Sequence, residues 1–148
     1  MIETPTILIA EDDDGHAFLV EDNLRHAGVN TTFLRFADGQ DILDFLMGKT
    51  TAPKFEPGRR YLLLLDIRMP KVEGIEVLRR IKSHPELRKI PVVMLTTTED
   101  PRAVARCHDL GCNIYIQKPV SWDNFAAAIN HLGKFLCLLQ VPAIEHRI

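Results

Sequence analysis

The chain lacks the features that would carry it through or across a membrane. No apolar run reaches the roughly 18 to 20 residues that a spanning helix needs, and the opening MIETPTILIAEDDD meets an acidic cluster without a basic n-region or a long apolar h-region. Cysteine is scarce. Cys107, Cys112 and Cys137 are odd in number and have no C-x-x-C spacing, which argues against a disulfide framework or a zinc site and suits buried or half-buried thiols of a cytoplasmic protein. The sequon Asn30-Thr31-Thr32 is then accidental. Charge of one sign is also missing: a formal net charge of −2 gives no general attraction to nucleic acid or to an anionic membrane, and no DNA-binding segment is indicated. His16, His26, His84, His108, His131 and His146 are scattered without metal-ligand spacing and read as solvated or capping residues. His16 lies just after the acidic cluster and is assigned no role.

What is present fits one compact domain: 148 residues, 46% of them hydrophobic, can bury a core. Short strand-like runs alternate with helix-period stretches. Residues 6–10 (TILIA) predict a strand, and 15–27 place Ala17, Val20, Leu24 and Ala27 near one helical face before Gly28. A second strand is predicted over 31–36, then a turn at Asp38-Gly39 and a short helix carrying Ile42, Leu43, Leu46 and Met47. The stretch 48–60, rich in Pro, Gly and basic residues, reads as a surface loop. YLLLLD (61–66) predicts the next strand, and a turn with Pro70 and Gly74 leads to a helix with Ile75, Leu78 and Ile81 that His84-Pro85 ends. Residues 91–96 predict a fourth strand. Asp100-Pro101 opens a helix that Gly111 closes; 113–117 predict a fifth strand, and Ser121 caps a last helix to about Leu139.

Strands separated by helix-length crossovers pair in parallel, and unbroken apolar runs such as LLLL suit strands covered on both faces. The expected class is α/β, a doubly wound sandwich of five strands and five helices. Its ligands bind beyond the carboxyl ends of the strands. Four strands end in residues ill suited to a core: Glu11 and Asp12, Asp66, Thr96, and Lys118. Three carboxylates brought together repel one another unless a cation offsets them, and hard oxygen ligands favour Mg²⁺ over zinc. Magnesium, a lysine, a hydroxyl and a reachable aspartate are the parts of a phosphoryl-transfer site with aspartate as covalent acceptor.

These motifs, Glu11-Asp12, LLLLDIRMPKVEG, PVVMLTTTED and YIQKP, resemble in order and spacing the response-regulator receiver domains of bacterial two-component signalling. The resemblance spans about 5–140. It implies a flavodoxin-like sheet of order 2-1-3-4-5, a receiver domain over 1–140, and a short tail over 141–148 with no output domain. It implies that Asp66 accepts a phosphoryl group from a sensor histidine kinase. Asp12, Asp66 and the backbone carbonyl of Arg68 would ligate Mg²⁺, with Glu11 acting largely through water. Thr96, the Thr97 backbone N–H and Lys118 would hold phosphoryl oxygens, and the Lys118-Pro119 bond would be cis. Thr96 and Tyr115 would form the switch, biasing a two-state face, while Arg68 and Thr98 stand where phosphate lifetime is tuned.

The apolar excess of FLCLLQVP, with Phe135, Leu136, Leu138, Leu139 and Val141, suggests an interface. It resembles the stand-alone receivers paired with bacterial phytochromes and hybrid kinases, which dimerise through the last helix and tail. The signal is expected to leave by protein contact, or by onward transfer in a phosphate shuttle or sink. Competing readings fit less well. A phosphatase of the haloacid dehalogenase type wants an aspartate where Arg68 stands. A flavin module wants a hydroxyl- and glycine-rich loop where EDDDGH stands. GKTT at 48–51 lacks the earlier glycine of a P-loop, since position 43 is leucine.

Overall fold

The computed structural model describes residues 4–119 and 121–144. Strands β1 (Thr6–Ala10), β2 (Phe33–Phe36), β3 (Tyr61–Leu65), β4 (Val92–Thr96) and β5 (Ile114–Gln117) form one parallel sheet in the order β2-β1-β3-β4-β5. Helices α1 (Asp14–His26), α2 (Gly39–Leu46), α3 (Gly74–Ser83), α4 (Pro101–Leu110) and α5 (Trp122–Leu136) connect and flank it. A 3-10 turn, Leu87–Lys89, lies between α3 and β4 and was not foreseen from the sequence.

The run of four leucines explains why helices cover both faces of the sheet. Side chains alternate across a strand, so Leu62 and Leu64 join Ile7, Ile9, Val93 and Leu95 under α1 and α5, where Val20, Leu24, Ile129 and Leu132 cover them. Leu63 and Leu65 join Leu8, Ala10 and Met94 on the other face, under Ile42, Phe45, Leu78, Ile81 and Cys107 of α2, α3 and α4. Burying each leucine contributes roughly 1.5–3 kcal/mol. Both faces of β3 are therefore held, and its carboxyl end is a rigid mount for Asp66.

Local punctuation sets the helix ends. Asp13, Asp38, Asp100 and Ser121 are N-caps whose side chains accept the backbone N–H groups of His16, Asp41, Arg102 and Asn124. Pro101 occupies the first turn of α4, and Gly111 ends that helix in the left-handed region at φ 99°. Gly133 lets α5 approach α1 closely, since a Cβ there would lie 2.6 Å from the Ala27 Cβ.

The C-terminal part departs from expectation. Helix α5 ends at Leu136, three residues early, and Leu138 and Leu139 continue as a turn whose N–H groups donate to Phe135 and Leu136 carbonyls at 3.0 and 3.2 Å. Leu136 is buried in the α1–α5 core and Val141 is buried as well, so neither offers a free apolar surface. Ile144 is fully buried against the α2–α4 core, tied to Arg59 and Gly58 of the 48–60 loop, while Arg60 Nε donates to the Val141 carbonyl at 2.8 Å. The expected tail is thus described only to residue 144; its last four residues lie outside the described ones. Within the loop, Phe55 is buried and stacks on Tyr61 with centroids 5.0 Å apart.

Candidate functional site

The carboxyl edge of the sheet brings together the residues that the strand ends supply. Glu11, Asp66, Thr96 and Lys118 are buried, whereas Asp12 is exposed at the mouth. Carboxylate oxygens of Glu11, Asp12 and Asp66 lie within 4.8 Å of one another. The Lys118 ammonium sits directly on Glu11 Oε1, and its Nζ is 3.2 Å from Asp66 Oδ2. Register carries this convergence: Ala10 pairs with Leu65 across β1 and β3, and Thr96 with Gln117 across β4 and β5. Glu11, Asp66 and Lys118 each follow their strand by one residue, and Asp12 follows β1 by two.

Burial, with like charge nearby, leaves a signature. The Glu11 carboxyl is pushed up to about 7, first by burial and further by the Asp66 charge, against the opposing pull of Lys118. One lysine does not offset three carboxylates, and the donor set is all hard oxygen. Both observations fit a divalent cation at the Glu11, Asp12 and Asp66 cluster.

The loop after β3 is pinned by backbone contacts. The Ile67 N–H donates to Asp66 Oδ1 at 2.7 Å, and the Gly74 N–H to the Ile67 carbonyl at 2.7 Å. Lys71 takes φ 68° in a tight turn closed by Val72 N–H on the Pro70 carbonyl, and its Nζ lies 3.4 Å from Asp38 Oδ2. Gly39 fits against this loop because a Cβ there would lie 1.9 Å from the Val72 carbonyl oxygen. Arg68 is exposed two residues beyond Asp66.

On the β4 side, Thr96 Oγ1 accepts the Thr98 N–H at 3.4 Å and lies 3.5 Å from the Thr98 hydroxyl. Thr97 is exposed and Thr98 half-buried. Tyr115, half-buried on β5, donates its hydroxyl to the Thr98 carbonyl at 2.9 Å, and burial raises its pKa. The Thr96–Thr98 segment therefore links Asp66's neighbourhood to Tyr115. Among the described residues the cis peptide bond is Ala52–Pro53; Lys118–Pro119, expected to be cis, is not. Trans is the lower-energy isomer of an X–Pro bond by about 0.5–1 kcal/mol.

Two contributors escaped the sequence reading. Arg35 of β2 donates through Nε and Nη2 to the Glu11 carbonyl at 3.1 and 2.8 Å and through Nη1 to Asp14 at 2.5 Å, which fixes the turn carrying the acidic pair. A charge inside FLRF was its sole sequence signal. His16, in the first turn of α1, places Nδ1 3.2 Å from Lys118 Nζ and 3.6 Å from Glu11 Oε1; its signal was its place just past the acidic cluster. Of the residues expected at an interface, Phe135 and Leu138 are exposed, Leu139 is half-buried against the α1–α5 core, and Leu136 lies inside that core.

Comparison with known proteins agrees with this geometry. The response regulator receiver domain family matches residues 7–130. The response regulator Rcp1 of Synechocystis sp. is 34% identical over 139 residues, which are 93% of this chain and 92% of Rcp1; the Mn(2+)-bound form of Rcp1 superposes with a TM-score of 0.86 at 29% identity, covering 94% of this chain and 99% of that one. A response regulator receiver domain from Rhodospirillum rubrum is 48% identical with a TM-score of 0.89, over 95% of this chain and 99% of its own. The phosphorylated cyanobacterial phytochrome response regulator RcpA has a TM-score of 0.85 at 28% identity, covering 95% of this chain and 99% of its own.

Proposed function

Since the chain belongs to the response regulator receiver domain family, and is thereby a phosphoacceptor signalling protein, we propose that Asp66 is its acceptor and a sensor histidine kinase its donor. An Asp66 carboxylate oxygen attacks phosphorus, the phosphorus–nitrogen bond to the kinase histidine breaks, and the electron pair stays on that imidazole nitrogen. The observation that carries this reading is Asp66 itself: it is mounted at the end of a strand buried on both faces, with Lys118 Nζ 3.2 Å away and Glu11 and Asp12 beside it.

Each neighbour has a role that its position supports. Lys118 donates to phosphoryl oxygens and offsets their charge, and the Thr96 hydroxyl and the Thr97 backbone N–H donate to the same oxygens. Asp12, Asp66 and the Arg68 backbone carbonyl would hold Mg²⁺ directly, with Glu11 acting largely through water. When bound, the ion screens the charge that builds on the phosphoryl oxygens during transfer. The three clustered carboxylates support that assignment, as does the manganese-bound form of the related Rcp1. Thr96 and Tyr115 form the switch: once Thr96 turns its hydroxyl toward the phosphoryl group it no longer accepts the Thr98 N–H, and the Thr98 carbonyl that holds Tyr115 is free to shift. Arg68 and Thr98 flank the site and set phosphate lifetime. Beryllofluoride, an acyl-phosphate mimic, is the test. It is expected to bind only with a divalent ion and to shift the resonances of Thr96 and Tyr115; no binding to folded protein overturns the reading.

The likeness to the phytochrome regulator RcpA and to a bacteriophytochrome response regulator supports a phytochrome-like kinase as partner; a cytoplasmic setting and a homodimer through the end of α5 belong to the same proposal. Phe135 and Leu138, 48% and 75% exposed, are the apolar side chains available for that contact. Light scattering at high protein concentration is expected to give twice the chain mass, and Leu138→Glu to return the monomer. A monomer with and without beryllofluoride removes the dimer.

A further inference from the structure

The Lys118 ammonium is held from three directions. Glu11 comes from the end of β1 and Asp66 from the end of β3, while the third group, His16 Nδ1 at 3.2 Å, comes from the first turn of α1. An ammonium has three donors and no lone pair, so the only hydrogen bond open between the two groups is one that Nδ1 accepts. The imidazole is itself well placed. Its backbone N–H donates to Asp13 Oδ1 at 2.9 Å, and its ring packs on Phe125 of α5 with centroids 5.9 Å apart.

On the receiver reading above, we propose that His16 is a positioning residue for phosphoryl binding: its Nδ1 anchors the Lys118 ammonium so that the donor not held by Glu11 is aimed at Asp66. Charge explains why an imidazole suits this place. Lys118 must leave a carboxylate for an incoming phosphoryl oxygen, and it does so without swinging away only if something uncharged keeps hold of it. A further carboxylate at position 16 would compete for the ammonium and repel the phosphoryl group. An apolar side chain would leave Lys118 bound by the two carboxylates alone, free to tilt toward Glu11.

Two variants separate this role from packing. His16→Phe keeps a ring against Phe125 and removes the acceptor, whereas His16→Asn places an oxygen near the Nδ1 position. Beryllofluoride affinity and the rate of labelling by a small phosphodonor are expected to fall about five- to twenty-fold in His16→Phe, the effect of losing one charge-assisted hydrogen bond, and to stay within about two-fold in His16→Asn. Mg²⁺ affinity without beryllofluoride, and the unfolding midpoint, should match across all three proteins. Unchanged beryllofluoride affinity in His16→Phe overturns the proposal, and so does an Asn variant as weak as the Phe variant, because the ring and not the acceptor would then matter. Wild-type protein that takes no beryllofluoride overturns the receiver reading instead, so the two failures are distinct.

Discussion

Asp66→Asn is expected to reduce labelling by a small phosphodonor and Mg²⁺ to background, as read by intact-mass spectrometry. The amide has nearly the shape of the carboxylate but lacks the charge and basicity of the nucleophile. Loss of fold is not the cause. Lys118 retains Glu11 as its partner, and removing the Asp66 charge relieves one of the influences that push the Glu11 carboxyl up. An unfolding midpoint close to that of wild type is therefore part of the expected result. Asp12 is the rival acceptor, because it is exposed and belongs to the same cluster. Labelling that persists in Asp66→Asn and disappears in Asp12→Asn would move the assignment there. Geometry favours Asp66: Ile67 N–H fixes its Oδ1 at 2.7 Å while Oδ2 lies beside Lys118, so one oxygen is oriented and the other is in reach of a cation.

The parts of this site that short-range chemistry dictates were legible in the sequence. TILIA is β1 residue for residue, and the Asp100-Pro101 start and Gly111 stop of α4 are where cap and breaker residues put them. Burial of LLLL on both sides followed from its lack of alternation, and parallel pairing then gathered Asp66, Glu11, Thr96 and Lys118 on one edge. Long-range partners were not legible. Arg35 clamps the Glu11 carbonyl across 24 residues of chain, and in FLRF it reads as an ordinary solvated side chain. His16 meets Lys118 across 102 residues. The end of α5 misled for another reason: FLCLLQVP is apolar enough to continue a helix, and nothing local says that Val141 and Ile144 fold back onto the 48–60 loop. Phe55 hid in that loop because the composition around it is that of a surface segment.

Gly74→Ala is expected to damage both the fold and the site. Gly74 is the first residue of α3, where alanine would ordinarily gain about 1 kcal/mol of helix propensity. Its added Cβ would lie 1.9 Å from the Asp66 carbonyl oxygen, 2.8 Å from the Asp66 carbonyl carbon and 2.9 Å from the Ile67 Cα. All three are backbone atoms, so no rotamer relieves the clash: either α3 backs away from β3, breaking the Gly74 N–H bond to Ile67, or the Asp66 peptide moves. The strain outweighs the propensity gain, and a net loss on the order of 3 kcal/mol lowers the unfolding midpoint by about 10 °C. Because the displaced peptide is that of Asp66, the proposed acceptor, beryllofluoride affinity should fall even at temperatures where the variant is folded. Gly48→Ala is the control: its Cβ meets nothing within 4 Å and only its φ of 73° is strained, so about 1 kcal/mol is lost and binding is kept. Wild-type stability and affinity in Gly74→Ala would show that α3 can shift without moving Asp66, and that β3 alone, without the glycine contact behind it, holds that carboxylate in place.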